Sequence, residues 1–550
     1  MKADYILKNG RFYTGNEEMP HAEAVVIAYG KFIYVGDYAG AKAYDAEVID
    51  LEGRLVLPGL IDAHSHIGLS VMMGDEDDSP MYDCKSKEEV LKKLRDMVKK
   101  HPFSLYYAMF FGQAEALGPA GLHKSEIDEI VKRRPVILME EECHSAWLNS
   151  GALKFLKIND DTPDIAPGYS YYERDEDGHL TGCIKEMTMM PILAMTGKMS
   201  RKKMTEGVLK LVGFLSQHGV TAIYDAGCFI DEEKIYGIFK ELDEQGRLPL
   251  RVEATHIIHL PELVDGAVEE FKRLKAAYET DNIKFKTMKM MLDGTLRIHT
   301  AKQCTPYADE DTLGGTLIPE EKLYEFISAL DDEGIDFHVH TVGEGAVKMV
   351  MDCVQRIIRE KGSKRIHVTV AHVETLRDED IARFKELDIT ADFTPHWFGG
   401  KDYTGIEGMT GLLGEKRALN CQRAKSVVDS GARVTFSSDE VSLHTLERWS
   451  PFTGMEIGCT RQEIADGGRE AMIWPPEEER LTLSDLIKGY TIAPAEVLRL
   501  DDRMGTIETG KDADLVVLED DLFEMDIYDI HKIVPQAVMF KGRIVSGEIR

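Results

Sequence analysis

Gly59-Leu60-Ile61-Asp62-Ala63-His64-Ser65-His66 ends a short apolar run on two histidines spaced two apart. Side chains alternate faces along a strand, so both imidazoles leave one face, with Asp62 on the same side. One face means one ion. Imidazole nitrogen is a ligand type that zinc and its first-row neighbours accept, and Asp62 is placed to orient a ligand ring from behind.

Further along the chain, other β-branched, apolar runs end on residues of the same chemistry. The runs are Leu60 to His64, Val220 to Asp225, Leu250 to Ala254, Phe285 to Met291, Ile335 to His340, His367 to His372, Ile389 to Thr394 and Val434 to Ser437, alternating with helical patterns. That pattern predicts an α/β protein with a parallel sheet, and eight strands is the number that closes a (β/α)8 TIM-type barrel. The candidate ligands His64 and His66, Lys289, His340, His372 and Asp439 then fall at the C-terminal ends of the first, fourth, fifth, sixth and eighth strands. Catalytic groups of such barrels gather at that face. Lys289 interrupts the apolar Met288-Lys289-Met290-Met291, where an ammonium needs desolvation or a partner. His338, one pleat step before His340, lies deeper and is expected in the core or behind a ligand.

Residues 1–56 and 505–550 read as short strands between Gly, Asn and Asp turns, which predicts one sheet system that pairs strands from both ends and closes the two termini together. Residues 57–68 carry the first barrel strand and 205–504 the rest of the barrel. The stretch 69–204 is too long for a loop and holds strand-like runs at Leu105 to Phe111 and Val136 to Glu140, so it is expected to form an insertion domain roofing the active site.

Composition narrows the function. The formal charge of −31 argues against nucleic acid and anionic membranes as partners, because both present phosphate. Eight scattered cysteines without a CxxC pair, no signal peptide and no bilayer-length apolar stretch predict a cytoplasmic protein with reduced thiols.

Several motifs resemble the amidohydrolase superfamily, and its family 3 branch with the N-substituted formamide deformylase-like proteins in particular. They are Leu57 to His66, His144-Ser145-Ala146-Trp147-Leu148-Asn149-Ser150, Lys289 to Thr295 with Pro306 to Asp309, His340 to Glu344, Ala371-His372, Ser438-Asp439, and Gly505 to Leu518. Two departures stand out: Glu344 replaces the usual Asp, and Glu142-Cys143-His144 replaces Asp-Gly-His.

The resemblance implies a barrel flanked by a β-sandwich built from both termini (1–56 and 505–550), and a metal-dependent hydrolase that cleaves a non-peptide C–N bond (amide, N-acyl or N-formyl) of a small molecule by metal-activated hydroxide. It implies one or two divalent ions, zinc favoured, held by His64, His66, Lys289, His340, His372 and Asp439, with Lys289 as an N6-carboxylysine, and a homodimer as in related enzymes. Asp439 would take the water's proton and return it to the departing nitrogen; a neutral histidine, His372 or one from the insertion, would polarise the carbonyl. His144, Trp147, Asn149, Asp293 and Arg297 are the substrate-pocket candidates. Hydrolysis of a cyclic amide or lactone on the same site is the neighbouring reading, and a non-catalytic barrel scaffold the distant one.

Overall fold

The computed structural model describes the whole chain except residues 74–80, 82, 113–116, 118–120, 141–143, 197–198, 401–404, 444 and 550. Strands from both ends pair into one branched eight-stranded sheet. Lys2–Tyr13 lies at its centre, parallel to both Asp45–Asp50 and Leu55–Pro58, and Leu55–Pro58 pairs in turn with Leu515–Leu518 from the far end of the chain. Alternate side chains make one apolar core, in which Leu7, Phe12, Val25, Ile27 and Val56 meet Leu515, Val517 and Met539. Burial of that face holds the two termini together.

One residue separates this sheet from the first central strand. Gly59 donates its N–H to the Asp514 carbonyl, and a Cβ there would come within 2.1 Å of Thr221 Oγ1, so only glycine allows so close a crossing.

The central strands, in chain order, are β1 (Leu60–Ser65), β2 (Val220–Asp225), β3 (Arg251–Glu253, continuing at Ile257–Ile258), β4 (Ile283–Lys284, continuing at Thr287–Met291), β5 (Asp336–Thr341), β6 (Val368–His372), β7 (Ile389–Phe393) and β8 (Val434–Phe436). All pair in parallel with their sequence neighbours from β1 through β8. The ladder is interrupted within β3 and β4, which divides it into a four-stranded and a six-stranded sheet.

Among the described residues no ladder joins β8 back to β1, so the ring expected from the sequence is not a closed ladder. Its seam is bridged otherwise. Asp439 N–H donates to the His64 carbonyl at 2.9 Å, and the Asp62 carboxylate accepts from Ser438 N–H at 3.0 Å and from Ser438 Oγ at 2.6 Å. Covering helices follow the 3.6-residue period: Glu320–Glu333 buries Leu323, Phe326, Ile327 and Leu330 on one stripe.

Between β1 and β2, five strands form a separate sheet in the order Tyr172–Arg174, Leu180–Lys185, Ser145–Leu148, Val136–Glu140, Tyr107–Gly112, with apolar clusters of its own. The seven described cysteines are free thiols, while Cys143 lies outside the described residues. Among the described residues no helix is long and apolar enough to cross a membrane.

Arg251 on β3 ties the central strands to the terminal sheet. Its guanidinium reaches Asp514 Oδ2 at 2.5 Å and Asp512 Oδ2 at 2.6 Å, and all three side chains are buried. Asp512 has further partners in Lys31 and Arg503, whereas Asp514 has Arg251 as its cation. Removing one member of a buried pair leaves an uncompensated charge costing about 3–5 kcal/mol. Arg251→Ala is therefore expected to lower the thermal unfolding midpoint by several degrees, and Asp514→Asn in the same chain to recover part of the loss. An unchanged midpoint in the single variant would show that the pair does not hold the two sheets together.

Candidate metal centre

The ends of β1, β4, β5, β6 and β8 bring the six candidate ligands to one place. His64 and His66 point their Nε2 atoms at each other across 3.2 Å, and Asp439 Oδ1 lies 3.3 Å from the first and 3.4 Å from the second. Asp439 Oδ2 is 3.5 Å from His372 Nδ1, Lys289 Nζ is 2.9 Å from His64 Nε2, and the His340 and His372 ring centroids are 4.3 Å apart.

The hydrogen bonds behind these rings decide which nitrogen faces inward. A carbonyl only accepts, so His66 donates Nδ1–H to Gly227 O at 3.0 Å and keeps the Nε2 lone pair for the centre. His340 likewise donates Nε2–H to Gly294 O at 3.3 Å, leaving Nδ1 as its coordinating atom. His64 Nδ1 meets His338 Nε2 at 3.0 Å, so His338 stands behind a ligand, as its depth on β5 suggests. Among the described residues, neither ring nitrogen of the buried His372 has a hydrogen-bond partner. Lone pairs, a carboxylate oxygen and unsatisfied buried nitrogens converging within a few ångströms are the donor set a divalent cation takes, and His64, His66 and Asp439 meet the spacing for it. The residues fit a metal.

Electrostatics favours the same state. Burial holds His64, His338, His340 and His372 well below the ordinary imidazole range, with Lys289 adding to each, so all four are in the neutral form that coordinates. Burial also brings Lys289 down to about 7, against the pull of Asp439 and Asp392. Backbone strain collects here too: His372, Val373 and Asp439 adopt φ of 78°, 47° and 43°, a region that non-glycine residues occupy at a cost of about 1–3 kcal/mol.

The pocket candidates divide. His144 sits beside the centre, its ring centroid 5.9 Å from that of His340 and its Nδ1 2.7 Å from Glu186 Oε2. Arg297, on the loop after β4, lies in the electrostatic field of the buried Glu140 at the end of a roof strand.

Three others have structural duties. Trp147 packs in the roof core with Met109, Val136 and Leu138. Asn149 accepts from Val136 N–H and Ala152 N–H and donates to the Val131 and Arg134 carbonyls, so its amide is consumed in capping the helix Ser150–Phe155. Asp293 accepts three backbone N–H bonds, from Lys302, Val342 and Gly343, each at 2.9 Å, and so pins the loop after β4 to the loop after β5. Oδ2 takes two of these bonds and Oδ1 one, and the side chain is fully buried. Glu142 and Cys143 lie outside the described residues.

Three neighbours were not among the candidates. Asp392 on β7 is buried 3.8 Å from His64 Nδ1, accepts from Thr435 and Ser437, and is pushed up to about 8 by burial. Its signal was an acid inside Ile389-Thr390-Ala391-Asp392-Phe393. Trp397 stacks on His372 at 5.4 Å, and Phe229 on His66 at 6.4 Å, giving the mouth two aromatic walls; loop aromatics carry no comparable signal.

A family profile described as "Amidohydrolase family" matches residues 47–546. The chain is similar to the putative amidohydrolase YtcJ of Bacillus subtilis, 25% identical over 99% of each chain, and to the N-substituted formamide deformylase of Arthrobacter pascens, 23% identical over 94% of each. Among solved structures it resembles an uncharacterized metal-dependent hydrolase from Pyrococcus horikoshii, with a TM-score of 0.67 at 22% identity, covering 95% of this chain and 99% of that one. That likeness speaks for the fold alone.

Asp62 bonds both His64 N–H and Ser438, so it fixes a ligand and the seam together. Loss of such a supporting partner typically weakens metal binding about 10- to 100-fold. Asp62→Ala is expected to show that drop in chelator competition. Unaltered metal affinity with a lower unfolding midpoint would restrict Asp62 to holding the seam.

Proposed function

Since the chain belongs to the amidohydrolase family, we propose that it is a metal-dependent hydrolase cleaving a non-peptide C–N bond, an amide, N-acyl or N-formyl linkage, in a small molecule. The observation that carries this reading is the triangle of His64 Nε2, His66 Nε2 and an Asp439 oxygen, backed by neutral His340 and His372 in one mouth. The deformylase relative supports an N-formyl or similar amide as the bond.

A divalent cation, zinc first, would be held by His64, His66, His340, His372, Lys289 and Asp439, where such an ion acidifies a water and polarises a carbonyl. Lys289 enters this set as an N6-carboxylysine. Addition of carbon dioxide to its neutral amine with loss of a proton would give an anionic carbamate on the residue whose Nζ lies 2.9 Å from His64 Nε2. Burial supports that chemistry, because it favours the neutral amine that adds.

Asp439 is the proton carrier. Its side chain keeps 13% exposure where His64 has none, so among the triangle's carboxylate and inner imidazole it is the group a substrate reaches. It accepts the proton of the attacking water and returns it to the departing nitrogen, which as a free amide anion would be too poor a leaving group. Trp397 and Phe229 flank the mouth and suit an apolar substituent on the amide.

Asp439→Asn is expected to retain most of the bound metal and to lower kcat by about 100- to 10,000-fold on any amide the protein cleaves. Lys289→Ala should lower metal per chain by elemental analysis. Chelation should abolish turnover, and added zinc restore it. Near-normal turnover in Asp439→Asn would remove it from proton transfer, and full metal content in Lys289→Ala would remove the carboxylated lysine.

A further inference from the structure

β3 runs out at Ile257-Ile258-His259. Ile257 is in register with Lys289 on β4, and Lys289 with His338 on β5. Registered residues of parallel strands point the same way, so Ile257 shares the inner face on which Lys289 and His338 meet His64. One pleat step on, His259 has the same parity and stands level with Met291 and the candidate ligand His340, which are themselves in register. Ring contacts agree with that placement. Phe229 stacks on His66 at 6.4 Å and meets His259 nearly at right angles at 5.4 Å, so one aromatic ring separates His259 from the metal centre.

The proton on this histidine can be located. A carbonyl only accepts, so His259 donates Nδ1–H to Ile257 O at 3.3 Å, and the lone pair sits on Nε2, turned away from its own strand. The residue is 9% exposed, and among the described residues no group meets Nε2. Burial brings the ring down to about 4, although the bond to Ile257 favours the charged form. His259 is therefore an acceptor at neutral pH. An acceptor so nearly buried is costly to leave unpaired, and a donor on a bound molecule removes that cost.

The order of strands says which part of a substrate arrives there. Asp439 follows β8, His66 follows β1, Phe229 follows β2 and His259 ends β3, one after another round the mouth. With the departing nitrogen at Asp439, the acyl chain is the part that runs along Phe229. We propose that His259 reads the acyl group of the substrate, accepting at Nε2 a hydroxyl or N–H carried on a chain whose apolar stem lies against Phe229; this rests on the amide-hydrolase reading above. A carboxylate in that place would set its lone pairs against Nε2, and a formyl group is too short to make the contact. The class is N-acyl amides with a neutral, donor-bearing acyl chain.

The test uses the full-length, zinc-loaded protein and the 4-nitroanilides of ω-hydroxy acids, from glycolic to 6-hydroxyhexanoic acid, each against its methyl ether. At the chain length that spans the mouth, the hydroxyl compound should be preferred by about tenfold in kcat/KM, the size of one hydrogen bond. That ratio should fall to near unity in His259→Phe and recover in part in His259→Gln, whose amide oxygen accepts. With ring-15N histidine, the His259 signal, identified by its loss in His259→Gln, should show the Nδ1–H tautomer and move on binding the hydroxyl compound. A wild-type Nε2–H tautomer, no hydroxyl preference at any chain length, or a preference that His259→Phe retains overturns the proposal. Failure to cleave any anilide would instead overturn the activity reading. Equilibrium binding of the same pairs then decides: a hydroxyl preference lost in His259→Phe supports the role of His259, and equal or absent binding overturns it.

Discussion

The seam between β8 and β1 is the constraint on which the site depends. Among the described residues no ladder crosses it, and the two strands are joined by a backbone bond, Asp439 N–H to His64 carbonyl, and by Asp62, whose carboxylate takes Ser438 and His64 together. These contacts come from the residues that carry, or adjoin, three of the donor atoms. A shift of the seam would separate the Asp439 oxygen from both Nε2 atoms, so the architecture and the metal geometry rest on the same few hydrogen bonds. Burial of Asp62 pushes its carboxyl up to about 6 even though three donors oppose the rise, which shows how dry the seam is.

Burial governs the centre's chemistry. Imidazoles, an amine and carboxylates buried this close together cannot all be charged, and the histidines settle in the neutral form. The same burial makes unsatisfied nitrogens at His372 expensive in the absence of a partner. Strained backbone at His372 and Asp439 belongs to the same pattern, since such conformations persist only where the surroundings over-determine them.

Much of this was legible in the sequence, for identifiable reasons. The central strands are fully buried, so they read as apolar, β-branched runs, and a histidine, lysine or aspartate at the end of such a run is conspicuous. His64, His66, Lys289, His340, His372 and Asp439 all carried that signal. Asp392 is an acid in such a run too, but inside β7 rather than at its end. The interruptions in β3 and β4 leave no such mark, because Thr255, His256 and Phe285 fit a strand as well as a break. Asn149 and Asp293 misled because their types suit a pocket equally well, and only the structure shows their polar atoms consumed by backbone N–H and carbonyl groups.

The roof was the least legible part, and its physics explains why. The hydrogen-bonded Glu186 and Thr300 are 114 residues apart, the first opening a 3-10 turn after the inserted sheet and the second on the loop after β4, and neither lies at the end of a central strand run. What couples them is a glycine, Gly294, whose missing side chain makes room for both, and an absent Cβ has no periodicity to detect. The metal face is thus written by strands that each carry their own residue to a common end. The surroundings of His144 are written by contacts between the inserted segment and the loop after β4. Among the described residues, Asp62, His64 and Asp439 make their bonds within and beside the central strands, so the seam and those contacts are set separately.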